Sequence, residues 1–285
     1  MNEISVLRAG PLTTVQDRGR PGFAHLGVPP SGAADQQALE LGNLIVGNDP
    51  GAAALEATLI GPVLRFAEPA VVAVTGADAT VSIAGRPLEC GTRGEVPAGG
   101  LLELGRCRSG VRAYVCIRGG LAVEATLGSR SHDLLTGLGP PPLRDGDVLP
   151  VGAEPARRPP PTPNVIVSPP AEPVLRVLPG PRDDWFRPEA LTALTQVTWR
   201  IGSASNRVGI RLEGPPLPRL VRGELLSEGV VTGAIQVTPS GRPILLGPDH
   251  PTTGGYPVIA VVCADDVALA GQLAAGATVR FAQPS

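Results

Sequence analysis

The sequence predicts a mainly β protein with a few short helices, organised as two β-rich domains of barrel or sandwich type. Three observations carry that expectation. Hydrophobic residues fill 42% of the 285 positions but aromatics only 3%, so the core must be built from Val, Leu, Ile and Ala, side chains that suit pleated sheets. The 37 Gly and 33 Pro punctuate short apolar runs throughout, and the aliphatic content between them is enough to offset ordering entropy. The length suits two domains of roughly 100–150 residues each.

In chain order, Ala34, Ala38, Leu41 and Ile45 fall at helical spacing before Gly47 and predict the first helix. Strands are predicted at Val71–Thr75, Thr80–Ile83, Leu101–Leu104 and Val111–Arg118. In the last of these Val111, Ala113, Val115 and Ile117 share one face and Arg112, Tyr114, Cys116 and Arg118 the other, which is the alternation of a half-buried strand. From Glu154 to Pro173 two proline-dense runs bracket Asn164–Val167, a composition that suits an extended connector. The expected organisation is therefore an N-terminal β-rich domain over 1–153, a Pro-rich connector over 154–173 and a C-terminal barrel domain over 174–285.

After the connector, short strands are expected at Val174–Leu178, Val197–Ile201, Val208–Leu212, Ala234–Thr238, Ile244–Leu246, Val258–Cys263 and Thr278–Phe281. Pro188–Gln196 opens with a proline suited to a first helical turn, and a third helix is expected at Asp266–Leu273. Val6-Leu-Arg-Ala-Gly-Pro and Val177-Leu-Pro-Gly-Pro begin the two halves alike, which fits a duplicated barrel.

Composition excludes several functions. The formal net charge is −2 and no basic stretch carries interleaved aromatics, so nucleic acid is not an expected partner. No basic start followed by an apolar run opens the sequence and no window approaches 18 apolar residues, so neither secretion nor a membrane span is expected and the cytoplasm is. Cys90, Cys107, Cys116 and Cys263 form no close-spaced pair and read as buried free thiols. With only His25, His132 and His250 present, no structural metal is expected. All 24 basic side chains are Arg, which rules out a Schiff-base lysine, a P-loop lysine and covalent biotin on these residues. Any swinging-arm cofactor must arrive on another protein.

The run from Glu224 to Pro257 sets hydrogen-bonding side chains between turn residues. Within it Ile235 and Val237 are expected to face inward together, which turns Gln236 the other way. A strand amide offers both donor and acceptor to an amide, urea or lactam; its bland alternative is a solvated Gln. Asp249-His-Pro-Thr-Thr-Gly-Gly-Tyr-Pro is dense in hydroxyls and glycine-freed backbone amides suited to an anionic oxygen. Arg207, at a strand entrance, is expected to hold a carboxylate, with a rim salt bridge as the competing reading. Gln16 and Asp17 lie in a long polar loop before the first helix, where Asp35 is placed to cap that helix. Ser131, His132 and Asp133 are consecutive, and consecutive residues do not converge as a catalytic triad must.

Together these motifs resemble the allophanate hydrolase subunit 2 family, the C-type subunits of ATP-dependent 5-oxoprolinase. The resemblance runs along almost the whole chain, through Thr13-Thr-Val-Gln-Asp-Arg-Gly-Arg-Pro-Gly, His25-Leu-Gly-Val-Pro-Pro, Leu55-Glu, Thr75-Gly-Ala-Asp, Leu127-Gly-Ser-Arg-Ser, Val177-Leu-Pro-Gly-Pro, Arg211-Leu-Glu-Gly-Pro, Gly233-Ala-Ile-Gln-Val and Thr252-Thr-Gly-Gly-Tyr-Pro. It implies a cyclophilin-like β-barrel and ATP-driven opening of 5-oxoproline to glutamate. It also implies two partners, a subunit 1 (B-type) protein and an amidohydrolase-like third subunit, with ATP used by the complex and not necessarily bound by this chain. The site candidates that it implies are Gln236, Asp249, Glu228 and Tyr256 as catalytic residues, and Arg207, Gln16, Asp17, Arg118, Thr252 and Thr253 as substrate-binding ones. Val258 stands where lysine is frequent in the family. Two alternatives are the carboxyltransferase half of a biotin-dependent urea or amide carboxylase, and a regulatory binder that antagonises a kinase inhibitor.

Overall fold

The computed structural model describes residues 2–156, 158–159, 169–221 and 223–284. The chain divides into two compact units, one of Met1–Arg20, Ser31–Asp133 and Gly137–Pro169, the other of Pro21–Pro30, Leu134–Thr136 and Pro170–Ser285. Of the connector read over 154–173, positions 157 and 160–168, including the Asn164–Val167 run, lie outside the described residues.

The first unit contains β1 (Glu3–Arg8), β2 (Thr13–Gln16), α1 (Gln36–Val46), β3 (Ala54–Thr58), β4 (Val63–Phe66), β5 (Ala70–Ile83), β6 (Arg86–Leu88), β7 (Arg93–Val96), β8 (Leu101–Ile117) and β9 (Val148–Pro150). These strands form a nine-stranded sheet ordered β2-β3-β8-β4-β1-β9, with β5 paired to β6, β7 and β8. Four expected short strands merge here into two long ones. Val71–Thr75 and Thr80–Ile83 both fall in β5, because register shifts between Gly76 and Val81 absorb the Gly-Ala-Asp segment as bulges without ending the strand.

The C-terminal part of β8 departs from its half-buried expectation. Ala113, Val115 and Ile117 face one core cluster, while Tyr114 and Cys116 on the other face are equally buried beneath α1. The helix approaches the sheet closely at Gly42, where a Cβ would stand 2.6 Å from Cys116 Sγ and 2.8 Å from Thr75 Oγ1. Asp35 caps α1 by accepting from the Ala38 N–H at 2.9 Å, and Gly47, at φ +79°, closes it in the left-handed conformation. The buried stripe is Ala38, Leu39, Gly42, Ile45 and Val46, rotated from the expected one because Ala34 precedes the helix and Leu41 is only partly covered.

The second unit contains β10 (Val174–Pro179), α2 (Glu189–Gln196), β11 (Trp199–Ile201), β12 (Gly209–Glu213), β13 (Glu228–Gly229), β14 (Ala234–Val237), β15 (Pro243–Leu246), β16 (Thr253–Gly254), β17 (Val258–Val262), α3 (Ala264–Ala270) and β18 (Thr278–Ala282). Seven of its strands close a barrel in the order β10-β17-β14-β15-β12-β11-β18, and the remaining two, β13 and β16, pair as a ribbon. Period-2 alternation fills the interior with Leu175 and Val177, Trp199 and Ile201, Ile210 and Leu212, Ile235 and Val237, and Val279 and Phe281. Each such side chain contributes roughly 1.5–3 kcal/mol by leaving water. α2 inserts Ala190 and Leu194 into the same core, and the Trp199 indole donates to the Leu194 carbonyl at 2.9 Å.

Every barrel strand lies within two residues of its expected span. α3 starts two residues earlier than expected and stops at Gly271. The β13–β16 ribbon has no sequence signature, since two-residue strands carry no period. Among the described residues no helix is long and apolar enough to cross a membrane.

Candidate functional site

On the outer face of the barrel, Gln236 lies opposite Ile244 of β15 and Val258 of β17, at a register shift that follows Ile235. Inward packing of Ile235 and Val237 obliges Gln236 to point outward, as the alternation predicts, yet it is not solvated: it is 5% exposed. The β13–β16 ribbon covers it. Gly254 lies against the carboxamide so closely that a Cβ there would stand 2.5 Å from Gln236 Nε2. Nε2 donates to the Tyr256 carbonyl at 3.1 Å, and among the described residues Oε1 has no hydrogen-bond partner. A held amide with an unspent acceptor is what recognition of an N–H requires.

Glu228 opposes Gly254 across the ribbon. Its carboxylate is gripped by Arg182, with Nε at 2.9 Å from Oε2 and Nη2 on Oε1. The Arg182 hydrogen bonds hold the Glu228 carboxyl below the ordinary glutamate value, so at neutral pH it is an anion and not a proton donor. Arg182 itself is tied to this region by its own N–H, which donates to the Val258 carbonyl at 3.2 Å. Thr253 pairs with Gly229, and the Thr252 carbonyl accepts from the Val230 N–H at 3.1 Å. The Tyr256 side chain is exposed. Gln236, Glu228, Thr252, Thr253 and Tyr256 are therefore brought together, and Arg182 joins them.

Arg182 was missed by sequence reasoning. Its signal was its position directly after the Val177-Leu-Pro-Gly-Pro motif.

Arg207 and Asp249 lie against each other. Expected among the substrate-binding and the catalytic candidates respectively, they bind each other: Nε meets Oδ2 at 2.7 Å and Nη2 meets Oδ1 at 2.9 Å, with the residues 1% and 0% exposed. The Leu134 N–H adds a third donor to Asp249 Oδ2 at 3.1 Å, and the Asp249 N–H returns to the Arg207 carbonyl at 3.2 Å. This is a buried bidentate pair that anchors the start of the 247–257 loop. Gly247 sits against the Arg207 carbonyl, leaving no room for a side chain there.

The N-terminal candidates belong to the first unit. Asp17 accepts from the Ser129 and Ser131 hydroxyls, each at 2.6 Å, the Arg130 N–H at 2.6 Å and the Gly19 N–H at 2.8 Å. Its oxygens are thus committed to ordering the Leu127-Gly-Ser-Arg-Ser turn. Gln16 is fully buried; its Nε2 donates to Thr14 Oγ1 at 3.0 Å and to the His132 carbonyl at 2.9 Å, while Oε1 has no partner among the described residues. Ser131 donates to Asp17 and not to His132, so the consecutive Ser-His-Asp makes no triad.

Arg118 stands elsewhere in this unit, donating to the Val46 carbonyl at the end of α1 at 2.8 Å and to the Pro155 carbonyl at 2.7 Å. In this position it acts as a C-terminal helix cap. A second buried network escaped the sequence reading: Glu56 Oε2 accepts from Tyr114 Oη at 2.7 Å and the Ala34 N–H at 2.9 Å, and Oε1 lies 3.4 Å from Arg112 Nε. Burial, with Glu56 beside it, pushes the Tyr114 phenol well above its usual value. The only sequence signal of this network was the Leu55-Glu motif. Burial also raises the Cys107 thiol to about 11, consistent with an inert sulfur.

The chain thus combines a closed barrel, with a ribbon-covered amide on its outer face, and a second β-sheet unit. Residues 26–283 match the family described as carboxyltransferase domain, subdomain A and B, and the chain belongs to that family. It is 38% identical to the C-type subunit of 5-oxoprolinase from Escherichia coli, an alignment that takes in 99% of this chain and 91% of that protein. The solved structure of TTHA0988 matches with a TM-score of 0.90 at 37% identity, and this chain, 99% covered, spans 56% of it. Kluyveromyces lactis urea carboxylase matches with a TM-score of 0.91 at 32% identity over 99% of this chain, which spans 27% of that larger one.

Proposed function

We propose that this chain is a non-autonomous subunit of an ATP-dependent 5-oxoprolinase complex, acting in the cytoplasm with a subunit 1 (B-type) protein and an amidohydrolase-like third subunit to open 5-oxoproline to glutamate. The observation that carries the reading is near-complete mutual coverage with the C-type 5-oxoprolinase subunit of Escherichia coli, 99% of one chain against 91% of the other. The geometry of the Gln236 cluster supports it. A lactam holds its N–H and C=O on the same side, and a carboxamide offers the matching acceptor and donor. The Gln236 Oε1 accepts the lactam N–H, while Tyr256 and the ribbon keep the amide in place. Arg182, half-exposed and forked onto Glu228, holds that carboxylate beside the amide. A lactam is a resonance-stabilised amide, so its opening is coupled to ATP by the complex; no nucleotide site is assigned to this chain.

The carboxyltransferase half of a biotin-dependent urea carboxylase is the second reading, favoured by the family description and by the likeness to urea carboxylase. These residues include no lysine to carry biotin, so that reading needs a biotinylated domain outside them. Val258, where lysine is frequent in the family, is buried in an apolar cluster with Ala234 and Leu246.

Co-expression with the neighbouring reading frames separates the two. ATP-dependent glutamate release from 5-oxoproline by the purified assembly supports the first reading. Co-purification of a biotin carrier, with bicarbonate-dependent turnover of urea and no glutamate release, replaces it with the second.

A further inference from the structure

The second unit carries a groove of about 600 Å³ whose residues take no part in the Gln236 cluster. Its walls are the Pro216–Arg219 segment and the Pro239–Gly241 turn, with Arg187 beside them. The walls are fixed. The Leu217 N–H donates to the Gly241 carbonyl at 2.9 Å, and the Arg187 N–H donates to the Pro218 carbonyl at 3.2 Å. Gly241 holds φ +79°, and a Cβ there would stand 2.8 Å from the Pro216 Cβ, so only glycine lets the two walls meet.

Two guanidiniums line this groove, and among the described residues neither has a carboxylate partner. Arg187 is exposed and makes no side-chain hydrogen bond there. Arg219 is positioned in advance: its guanidinium lies over the Trp185 ring at 5.7 Å, its backbone bridges to Phe186, and the Leu220 N–H donates to the Trp185 carbonyl at 2.9 Å. Its donors remain largely unspent. Nη2 reaches the Gly223 carbonyl at 3.4 Å, and Nε is buried with no acceptor among the described residues.

We propose that this groove is a binding site for a small ligand bearing oxyanion groups, a phosphate ester or a dicarboxylate, held by Arg187 and Arg219. The guanidinium fork matches either oxyanion, the proline rings and Leu217 supply apolar walls, and Ser240 adds a hydroxyl. The volume falls within the roughly 300–1,000 Å³ of ligand pockets.

The test is isothermal titration of the purified full chain with inorganic pyrophosphate and, separately, with glutarate. Saturable binding of at least one is expected, weakened at least about tenfold in both Arg187→Gln and Arg219→Gln, with partial recovery in Arg219→Lys and no change in Arg280→Gln on the exposed side of β18. Tighter binding of pyrophosphate identifies a phosphate ligand, and tighter binding of glutarate a dicarboxylate. Arg187 is exposed, so its replacement leaves the fold intact, and matching thermal unfolding curves confirm this for each variant. Absence of saturable binding by both probes at millimolar concentration, or full binding retained in either glutamine variant, overturns the proposal.

Discussion

Arg207 and Asp249 show how burial decides what a charge is for. Both are removed from water, each engages the other through two hydrogen bonds, and Asp249 takes a further donor from Leu134. A pair of this kind is worth little against a well-packed apolar replacement, but breaking it strands a buried charge. Arg207→Ala is expected to lower stability by about 3–5 kcal/mol in urea denaturation. A loss below about 1 kcal/mol would show that Arg207 reaches water and that the pair is not a buried anchor. Glu228 and Arg182 form the contrasting pair, half-exposed and beside the candidate amide. Arg182 depresses the Glu228 value in the folded chain, so the stabilisation is fully present above the unfolded glutamate value and is lost as pH falls through the folded one. The stability difference between wild type and Glu228→Gln, followed from about pH 7 to about pH 3, should shrink on acidification. A difference that widened toward acid would contradict the assignment.

Secondary-structure elements set how close these side chains come. Gly42 lets α1 lie against β8, and Gly42→Ala, which forces a Cβ onto Cys116 and Thr75, is expected to cost about 1–3 kcal/mol, read as a lowered melting temperature. Gly254 does the corresponding work for the site. There the atom in the way is the end of a flexible side chain, so Gly254→Ala should cost under about 1 kcal/mol of stability while displacing the Gln236 amide and lowering turnover by the assembled complex. Unchanged turnover would mean that the ribbon does not hold the amide.

At this scale the sequence was most legible where a period of two was uninterrupted. The barrel strands follow from alternation, and so does the outward turn of Gln236. Legibility failed where contacts are long-range. The bulges that join β5 into one strand look like turns in sequence, and burial of Tyr114 and Cys116 depends on α1, where the Leu39 carbonyl that accepts from Cys116 is 77 positions away. The partners of Arg207, Glu228 and Asp17 are separated from them in sequence by 42, 46 and 112 positions, distances over which no local pattern extends.

For the whole molecule, an aliphatic, all-Arg chain builds two β units, and the closed barrel of the second holds an oriented amide with a spare acceptor beside a paired arginine. Neither the amide nor the Arg182–Glu228 pair is an activated nucleophile, and the role proposed for them is to bind and orient. With no lysine, these 285 residues cannot themselves carry biotin under the carboxyltransferase alternative. The most direct test of the account is steady-state glutamate release from 5-oxoproline by the co-expressed complex carrying Gln236→Ala, with assembly checked by gel filtration. The complex should stay intact while kcat/KM falls by about 10- to 100-fold, the loss of one or two hydrogen bonds to the lactam. An intact complex that releases glutamate at the wild-type rate would contradict it.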